Sequence, residues 1–289
     1  MNKAILVTGA NGQLGNAIRT LAPKHCDCTF HFTDVDTLDI CNRAALTDFV
    51  RANRIYCLLN CAAYTAVDKA EDDRATCMRI NRDAVRNIGE VAQAQDIRVI
   101  HVSTDYVFDG NSARPYREDD EPRPLSVYGH SKREGETALQ QACPGAVIIR
   151  SAWLYSEFGS NFVKTMLRLG GEREEVRVVS DQTGTPTYAG DLAAAMLTVA
   201  THPAPAPGIY HYSSDGACSW YDFAVQIMAL AGITCRVQPV TTREYPTRAV
   251  RPAYSVLSKE KIKQVYQVEV PGWEAGLRHC IRILTDSTI

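Results

Sequence analysis

Residues 4–15 read AILVTGANGQLG. Ala4 to Val7 are apolar, and a small polar turn follows them. Gly9, Gly12 and Gly15 stand at the spacing GxxGxxG. From Leu14 onward, Leu14, Ala17, Ile18 and Leu21 recur on one helical face. The stretch predicts a strand, a glycine turn and the start of a helix. Gly9 suits the tight turn, Gly12 lets the backbone come close to a bound group, and Gly15 lets helix pack on strand. The free N–H groups and the dipole at a helix start suit a pyrophosphate. An ordinary glycine-rich turn has the same spacing, so a dinucleotide site is read here only together with its surroundings.

Those surroundings continue in the same rhythm. Residues 28–34 (CTFHFTD) read as a second strand ending at Asp34, nineteen residues after Gly15. A carboxylate at that place accepts hydrogen bonds from the adenosine ribose hydroxyls. Asp36 is the rival for this role, and both residues also suit a plain turn. A helix is predicted over 42–53 and a buried strand from Ile55 to Asn60. Alternating strand and helix signals imply an α/β chain with a doubly wound parallel sheet. Asn60 closes the third strand, and the small residues Ala62 and Ala63 follow where a cofactor would need room. Val67, Asp68 and Lys69 either face a substrate or begin a solvated helix. A helical stretch from about 75 to 95 leads to a strand at Arg98 to Val102.

The polar cluster Ser103-Thr104-Asp105 stands where that apolar strand stops. Tyr128 comes twenty-four residues after Thr104, and Lys132 lies at i+4 from it. On a helix this spacing sets phenol and ammonium on one face, about 5–6 Å apart. A free tyrosine has a pKa of about 10, and a nearby cation is expected to lower it. A hydroxyl such as that of Thr104 can bond the phenol oxygen or a reacting carbonyl. A lone YxxxK is common on helix surfaces; combined with Thr104 and the glycine turn, it reads as a proton-transfer site.

Composition excludes several other classes. The 289 residues are 45% hydrophobic and 22% charged, with a formal net charge of −2, as in a soluble globular chain. No basic run or zinc-finger spacing points to nucleic acid, and no apolar stretch is long enough to span a membrane. The N-terminus enters a strand with no leader pattern, so a cytoplasmic protein is expected. The ten cysteines form no CxxC pair, and a metal site is not expected. Cys57 and Cys61 read as small core residues among reduced thiols.

Beyond residues 146–151, a further strand, the rhythm loosens. A helix opens at Asn161-Phe162, turn signals fill 181–193, and HPAPAP at 202–207 reads as a turn or linker. Trp220 to Ala231 is amphipathic. The run 241–258 reads as an ordered loop over a ligand, with Arg248 and Arg251 either meeting a diphosphate or serving as ordinary surface charge.

The blocks TGANGQLG, LDI, NCAAYTAVDKAE, HVSTDYVFDG, VYGHSKREGE, NFVKTMLRL, DQTGTPT and RPAYSVLS together resemble the dTDP-4-dehydrorhamnose reductase family of extended short-chain dehydrogenases/reductases. The resemblance runs nearly end to end. It implies a Rossmann-like doubly wound parallel sheet with a smaller mixed α/β substrate-binding subdomain. The dinucleotide domain is expected over 1–151 with a later contribution from about 181–202, and the nucleotide-sugar subdomain over 152–180 and 203–289. By resemblance, Gly9, Gly12, Gln13, Leu14, Gly15, Asp34, Asp39, Ile40, Ala62, Ala63, Tyr64 and Thr65 hold NADH or NADPH, with Tyr128 and Lys132 shared between cofactor and catalysis. Thr104, Asp105, Trp153, Val67 and Arg251 meet a dTDP-4-dehydro-6-deoxy-sugar. The family's reaction is reduction of the sugar C4 carbonyl, with Tyr128 as proton donor and Thr104 polarising the carbonyl. A homodimer is left open. Some members of the family place glutamates around magnesium, but this chain has Ala17 and Gly190 at two such places. Sugar-nucleotide dehydratases, which are similar, carry an Asp-Glu pair after the threonine; here Tyr106 follows Asp105. Another nucleotide-sugar 4-ketoreductase or epimerase, and a non-catalytic regulatory subunit, are the competing readings.

Overall fold

A computed structural model describes residues 3–286. Strand β1 (Lys3–Thr8) leads through the glycine turn into α1 (Gln13–Leu21), followed by β2 (Cys28–Thr33), α2 (Arg43–Ala52) and β3 (Ile55–Asn60). Short helices α3 (Val67–Ala70) and α4 (Arg74–Met78) precede a π-helical stretch, Arg79–Asp83, that runs into α5 (Ala84–Gln95). Then come β4 (Arg98–Thr104), α6 (Val127–Ala142), β5 (Val147–Ser151), the two-residue β6 (Leu154–Tyr155) and α7 (Phe162–Glu172). The chain continues through β7 (Glu175–Val179), β8 (Thr183–Gly184), β9 (Thr187–Tyr188), α8 (Ala189–Thr201) and β10 (Gly208–His211). It ends in β11 (Cys218–Ser219), α9 (Trp220–Ala231), β12 (Arg236–Val240), α10 (Glu260–Tyr266) and α11 (Trp273–Asp286).

Six strands form one parallel sheet in the order β10-β5-β4-β3-β1-β2. Alternate residues of each strand face opposite layers, as the period of two requires. Ile5, Val7, Cys57 and Leu59 pack with Leu192, Met196 and Val199 on the side of α1 and α8. Leu6, Leu58, Val99 and Ile148 pack with Leu46, Ile88 and Leu139 on the side of α2, α5 and α6. The strand order reverses between β1 and β3, and a ligand crevice opens outside the carboxyl ends of strands at such a switch point. Gly9 stands there with φ +64°, and a Cβ on it would lie 2.6 Å from the backbone of Ala62. Glycine is thus required both by the turn and by the approach of the two strand ends.

A second, smaller core lies among α7, α9, α11 and the parallel pair β7–β12, with Val176, Val178, Phe223, Ile227 and Leu277 at its centre. The expected boundary at 203 does not follow the strand pairing. β10 pairs with β5 as the sixth strand of the large sheet, and Ile262, Tyr266 and Val268 join the core on its α1/α8 side. The reason is an edge left open: β5 would otherwise present an unpaired row of backbone groups. The ten cysteines are all free; Cys57, Cys77, Cys143, Cys218, Cys235 and Cys280 are buried. Among the described residues no helix is long and apolar enough to cross a membrane.

Candidate active site

The carboxyl ends of β1, β3, β4 and β5 open onto a cavity of about 810 Å³. Gly9, Gly12, Gln13 and Leu14 line it from the first turn, Asp34, Asp39 and Ile40 from the end of β2, and Ala62, Ala63, Thr65 and Val67 from the loop after β3. Thr104, Asp105, Tyr128, Lys132 and Trp153 line it from the other side. Residues distant in sequence therefore share one space because parallel strands deliver all their carboxyl ends to one edge.

The glycine turn leaves the start of α1 open. Gly12 occupies the N-cap, no side chain caps the helix, and its first turn holds no acidic residue. Unpaired N–H groups with no competing carboxylate fit an anion there. Asp34 is held at the cavity edge by accepting from Asn11 N–H at 2.9 Å and Val35 N–H at 2.8 Å. Asp36 is exposed and absent from the cavity wall, which separates the two rivals. Gln13 reaches across the cleft: its Oε1 accepts from Ser156 Oγ at 3.0 Å and Asn161 Nδ2 at 2.9 Å.

Ser126 caps α6 by accepting from Gly129 N–H, and the helix then carries Tyr128 and Lys132 inward. Both are buried. The expected lowering of the tyrosine does not occur. Burial pushes the Tyr128 phenol well above its ordinary range, and the neighbouring Thr104 hydroxyl opposes that only in part. Lys132 is drawn down to about 8 by burial, and its Nζ donates to the Val102 carbonyl at 2.7 Å. A buried lysine engaged by a carbonyl does little to ionise a phenol. Thr104 stands beside the phenol, where its hydroxyl can bond the phenol oxygen. Its hydroxyl donates to Asp105 Oδ1 at 3.0 Å and accepts from Tyr106 N–H. Asp105 is fully enclosed, its carboxyl pushed up to about 6 by burial, which the Ser255 and Thr104 hydroxyls oppose only in part. Ser151 Oγ on the same wall is buried without a partner. Such an orphaned polar atom suits a polar ligand.

Trp153, at φ +47°, lies over Gly184, where a Cβ would come within 2.5 Å of its ring. Its indole stacks on Trp220 at 3.5 Å between ring centroids. Trp220 itself lines the cavity; the sequence offered it only as part of an amphipathic helix. Arg79, Asn161 and Cys61 also line the cavity without having been singled out for it. Cys61 packs against the core on the α1/α8 side as well as lining the cavity, and burial pushes its thiol up to about 12.

Three expected contacts lie elsewhere. Gly15 is buried off the cavity, where a Cβ would strike Ala10 at 2.5 Å, so it lets the helix close against the turn at Gly9 and Ala10. Tyr64 is turned away: its backbone N–H and carbonyl are both held by Asn81, and its hydroxyl points toward Asp73. Arg251 pairs with Asp68 and lowers that carboxyl's pKa, while Arg248 pairs with Asp72. Both carboxylates come from the segment after β3 and hold the 241–258 loop against α3 and the turn that follows it rather than leaving its cations free. Among the described residues no group of acidic, histidine and cysteine side chains is placed to hold a metal ion.

A family model described as RmlD substrate binding domain matches residues 2–285. A dTDP-4-dehydrorhamnose reductase of Sinorhizobium fredii is 38% identical over 286 residues, covering 96% of each chain. The crystal structure of a dTDP-4-dehydrorhamnose reductase from Clostridium acetobutylicum superposes with a TM-score of 0.93 at 41% identity, covering 98% of this chain and 99% of that one. A Bacillus anthracis dTDP-4-dehydrorhamnose reductase solved in complex with NADP gives a TM-score of 0.93 at 37% identity, over 98% of this chain and 100% of that one.

Proposed function

The chain belongs to the dTDP-4-dehydrorhamnose reductase family of oxidoreductases, and from that premise we propose that it reduces the C4 carbonyl of dTDP-4-dehydro-L-rhamnose to dTDP-L-rhamnose, with Tyr128 as the proton donor. The observation that carries this reading is the meeting of Thr104, Tyr128 and Lys132 with the open start of α1 in one cavity.

The residues present fit a nicotinamide dinucleotide. The turn at Gly9 and Gly12 and the uncapped helix suit its pyrophosphate, Asp34 its adenosine ribose, and Asp39 and Ile40 its adenine side. NADH or NADPH supplies a hydride when bound. We assign the six-stranded unit to that cofactor, and the smaller unit, with Trp153 and Trp220, to the nucleotide sugar.

The buried Tyr128 phenol stays protonated at neutral pH and is therefore an acid rather than a base. It gives its proton to the alkoxide that forms at C4. Lys132 spends one proton on Val102 and keeps others for the phenolate left behind. Asp105 holds the Thr104 hydroxyl in place, and that hydroxyl turns to the sugar carbonyl when a substrate offers an acceptor. Tyr106 in place of an acid after Asp105 leaves no carboxylate to drive water elimination. The test is the loss of NADH or NADPH absorbance with freshly made dTDP-4-dehydro-L-rhamnose. Stoichiometric oxidation with formation of dTDP-L-rhamnose is expected. No oxidation with either cofactor would return the regulatory-subunit reading.

A further inference from the structure

Thr8, Asn60 and His101 are register partners on the neighbouring strands β1, β3 and β4, and all three are buried. Their side chains form a row across the sheet that ends at Lys132. Asn60 Oδ1 accepts from Thr8 Oγ1 at 2.7 Å and from Ala62 N–H at 3.2 Å. A backbone N–H only donates, so the Ala62 bond fixes which end of the Asn60 amide is oxygen. Asn60 Nδ2 must then donate to His101 Nδ1, 2.9 Å away. A ring nitrogen that accepts carries no proton, so the neutral imidazole keeps its proton on Nε2. The same contact bars the doubly protonated ring, which would set N–H against N–H. Nε2 lies 3.4 Å from Lys132 Nζ.

We propose that Asn60 locks His101 as the Nε2–H tautomer and so turns an N–H on Lys132, making His101 a positioning residue that favours the neutral amine of the lysine beside Tyr128. A neutral amine has a lone pair to receive that N–H; an ammonium has none. Glu136, Cys77 and Cys61 favour the lysine's charge, and burial outweighs them. From its own helix comes Glu136, which is bound to Arg150 at 2.8 Å and Arg133 at 3.2 Å. From α4 comes Cys77 and from the loop after β3 Cys61, both thiols kept protonated by burial. From β4 come His101 itself, kept neutral by burial, and the Val102 carbonyl, the acceptor that faces the charge. The lysine's fall to about 8, led by burial, agrees with this surrounding. In turnover, Tyr128 passes its O–H proton to the alkoxide and becomes phenolate. Lys132 ammonium gives a proton to that phenolate, restoring the phenol. The neutral lysine left behind accepts the His101 N–H until solvent returns its proton.

The last consequence rests on the proposed reduction; the tautomer and the lysine's titration do not. Both can be read by NMR on the full chain without substrate. In protein labelled with nitrogen-15 histidine, the resonances lost in His101→Asn assign the ring, and an Nε2–H pattern held from pH 6 to 9 is expected. In protein labelled with carbon-13 lysine, the Cε signal lost in Lys132→Met assigns the lysine. Asparagine at 101 can still accept from Asn60 but sets no N–H at the Nε2 position. The Lys132 midpoint should therefore rise by about 0.5–1 pH unit in His101→Asn, and the pH profile of keto-sugar reduction should move with it. An Nδ1–H ring, a charged ring, or an unmoved lysine midpoint in folded His101→Asn overturns the proposal. Should that variant not fold, the wild-type ring pattern decides alone. Absence of reduction with the expected tautomer and lysine shift would sink the proposed function and leave this inference standing.

Discussion

A buried phenol and a buried carboxylic acid next to each other respond to pH in ways that a sequence does not state. For Tyr128, burial secures the protonated form, so its acid role needs no lysine to ionise it in advance. Tyr128→Phe keeps the ring's packing against Tyr106 and removes only the proton. Turnover should fall at least ~10²-fold with the melting temperature little changed, measured with hydride transfer rate-limiting. For Asp105 the sign runs the other way from the usual carboxylate. Its folded pKa, about 6, lies above that of an ordinary aspartate, about 4. Folding therefore favours the neutral acid, and stability falls as pH rises from about 4 through 6 by up to about 3 kcal/mol. Asp105→Asn lacks that penalty. Its melting temperature should exceed the wild type's by more at pH 7.5 than at pH 4.5, and its Oδ1 still accepts from the Thr104 hydroxyl. An equal difference at both pH values would show that Asp105 ionises without cost.

The positions of Thr104, Tyr128 and Lys132 were legible because their chemistry and spacing survive in the linear order. Tyr64, Gly15 and Arg251 were not, because a residue type does not tell which way its side chain turns. Asn81 takes both backbone groups of Tyr64, and Asp68 takes Arg251, only once the chain is folded.

At the scale of elements, the first four strands of the large sheet were legible because each apolar run is followed by a helix signal, and β5 by its own unbroken apolar run. β10 was hidden. Its four residues follow a proline-rich turn, and its partner β5 lies about sixty positions earlier, with no local turn to mark the pairing. β7 and β12 pair over the same distance and were hidden for the same reason. The π-helical stretch Arg79–Asp83 was missed because a single wider turn barely disturbs a helical period. Yet this is where Asn81 sits, bridging Tyr64 to Ser131 of α6.

The same scale decides how Trp153 is held. Its ring has Gly184 beneath it and Trp220 stacked on it, and a Cβ at 184 would meet ring atoms at 2.5 Å. Because β8 is paired backbone, the ring must yield. Gly184→Ala should raise KM for the nucleotide sugar about tenfold or more, the scale of a misplacement near 1 Å. Cofactor affinity, read by fluorescence titration, should be unchanged. A variant with weakened cofactor binding and normal sugar KM would place the two tryptophans in the wrong subsite.

For the molecule as a whole, activity is expected to be independent of metal. Among the described residues no cluster could hold a divalent ion, and a hard cation needs several oxygen ligands. Activity and oligomeric state, followed by assay and light scattering, should be the same in EDTA and in excess magnesium. Restoration by magnesium alone after chelation would contradict this.

The dinucleotide, by contrast, should stabilise the whole chain, because its cavity is walled by both units and Gln13 already ties the first turn to Ser156 and Asn161. Saturation at 100 times Kd adds about 2.7 kcal/mol to the folded state. For a chain of this size that is roughly 5 °C in Tm. NADH and NADPH should differ. A 2′-phosphate at Asp34 would set like charges together, and at ~4 Å with an effective dielectric near 20 the repulsion is about 4 kcal/mol before screening. Arg43 does not relieve it, since it pairs with Glu90 and stands off the cavity wall. Arg79 lines the cavity and can offset part of it. NADH should therefore raise Tm at least as much as NADPH at equal concentration, and its kcat/KM should be no lower. Asp34→Ala removes both the ribose acceptor and the repulsion, so it should lower the NADH shift, raise the NADPH shift and turn the kcat/KM ratio toward NADPH. A ratio left unchanged by the substitution would remove Asp34 from the ribose site and leave Asp39, the other carboxylate on that stretch of cavity wall, to hold it.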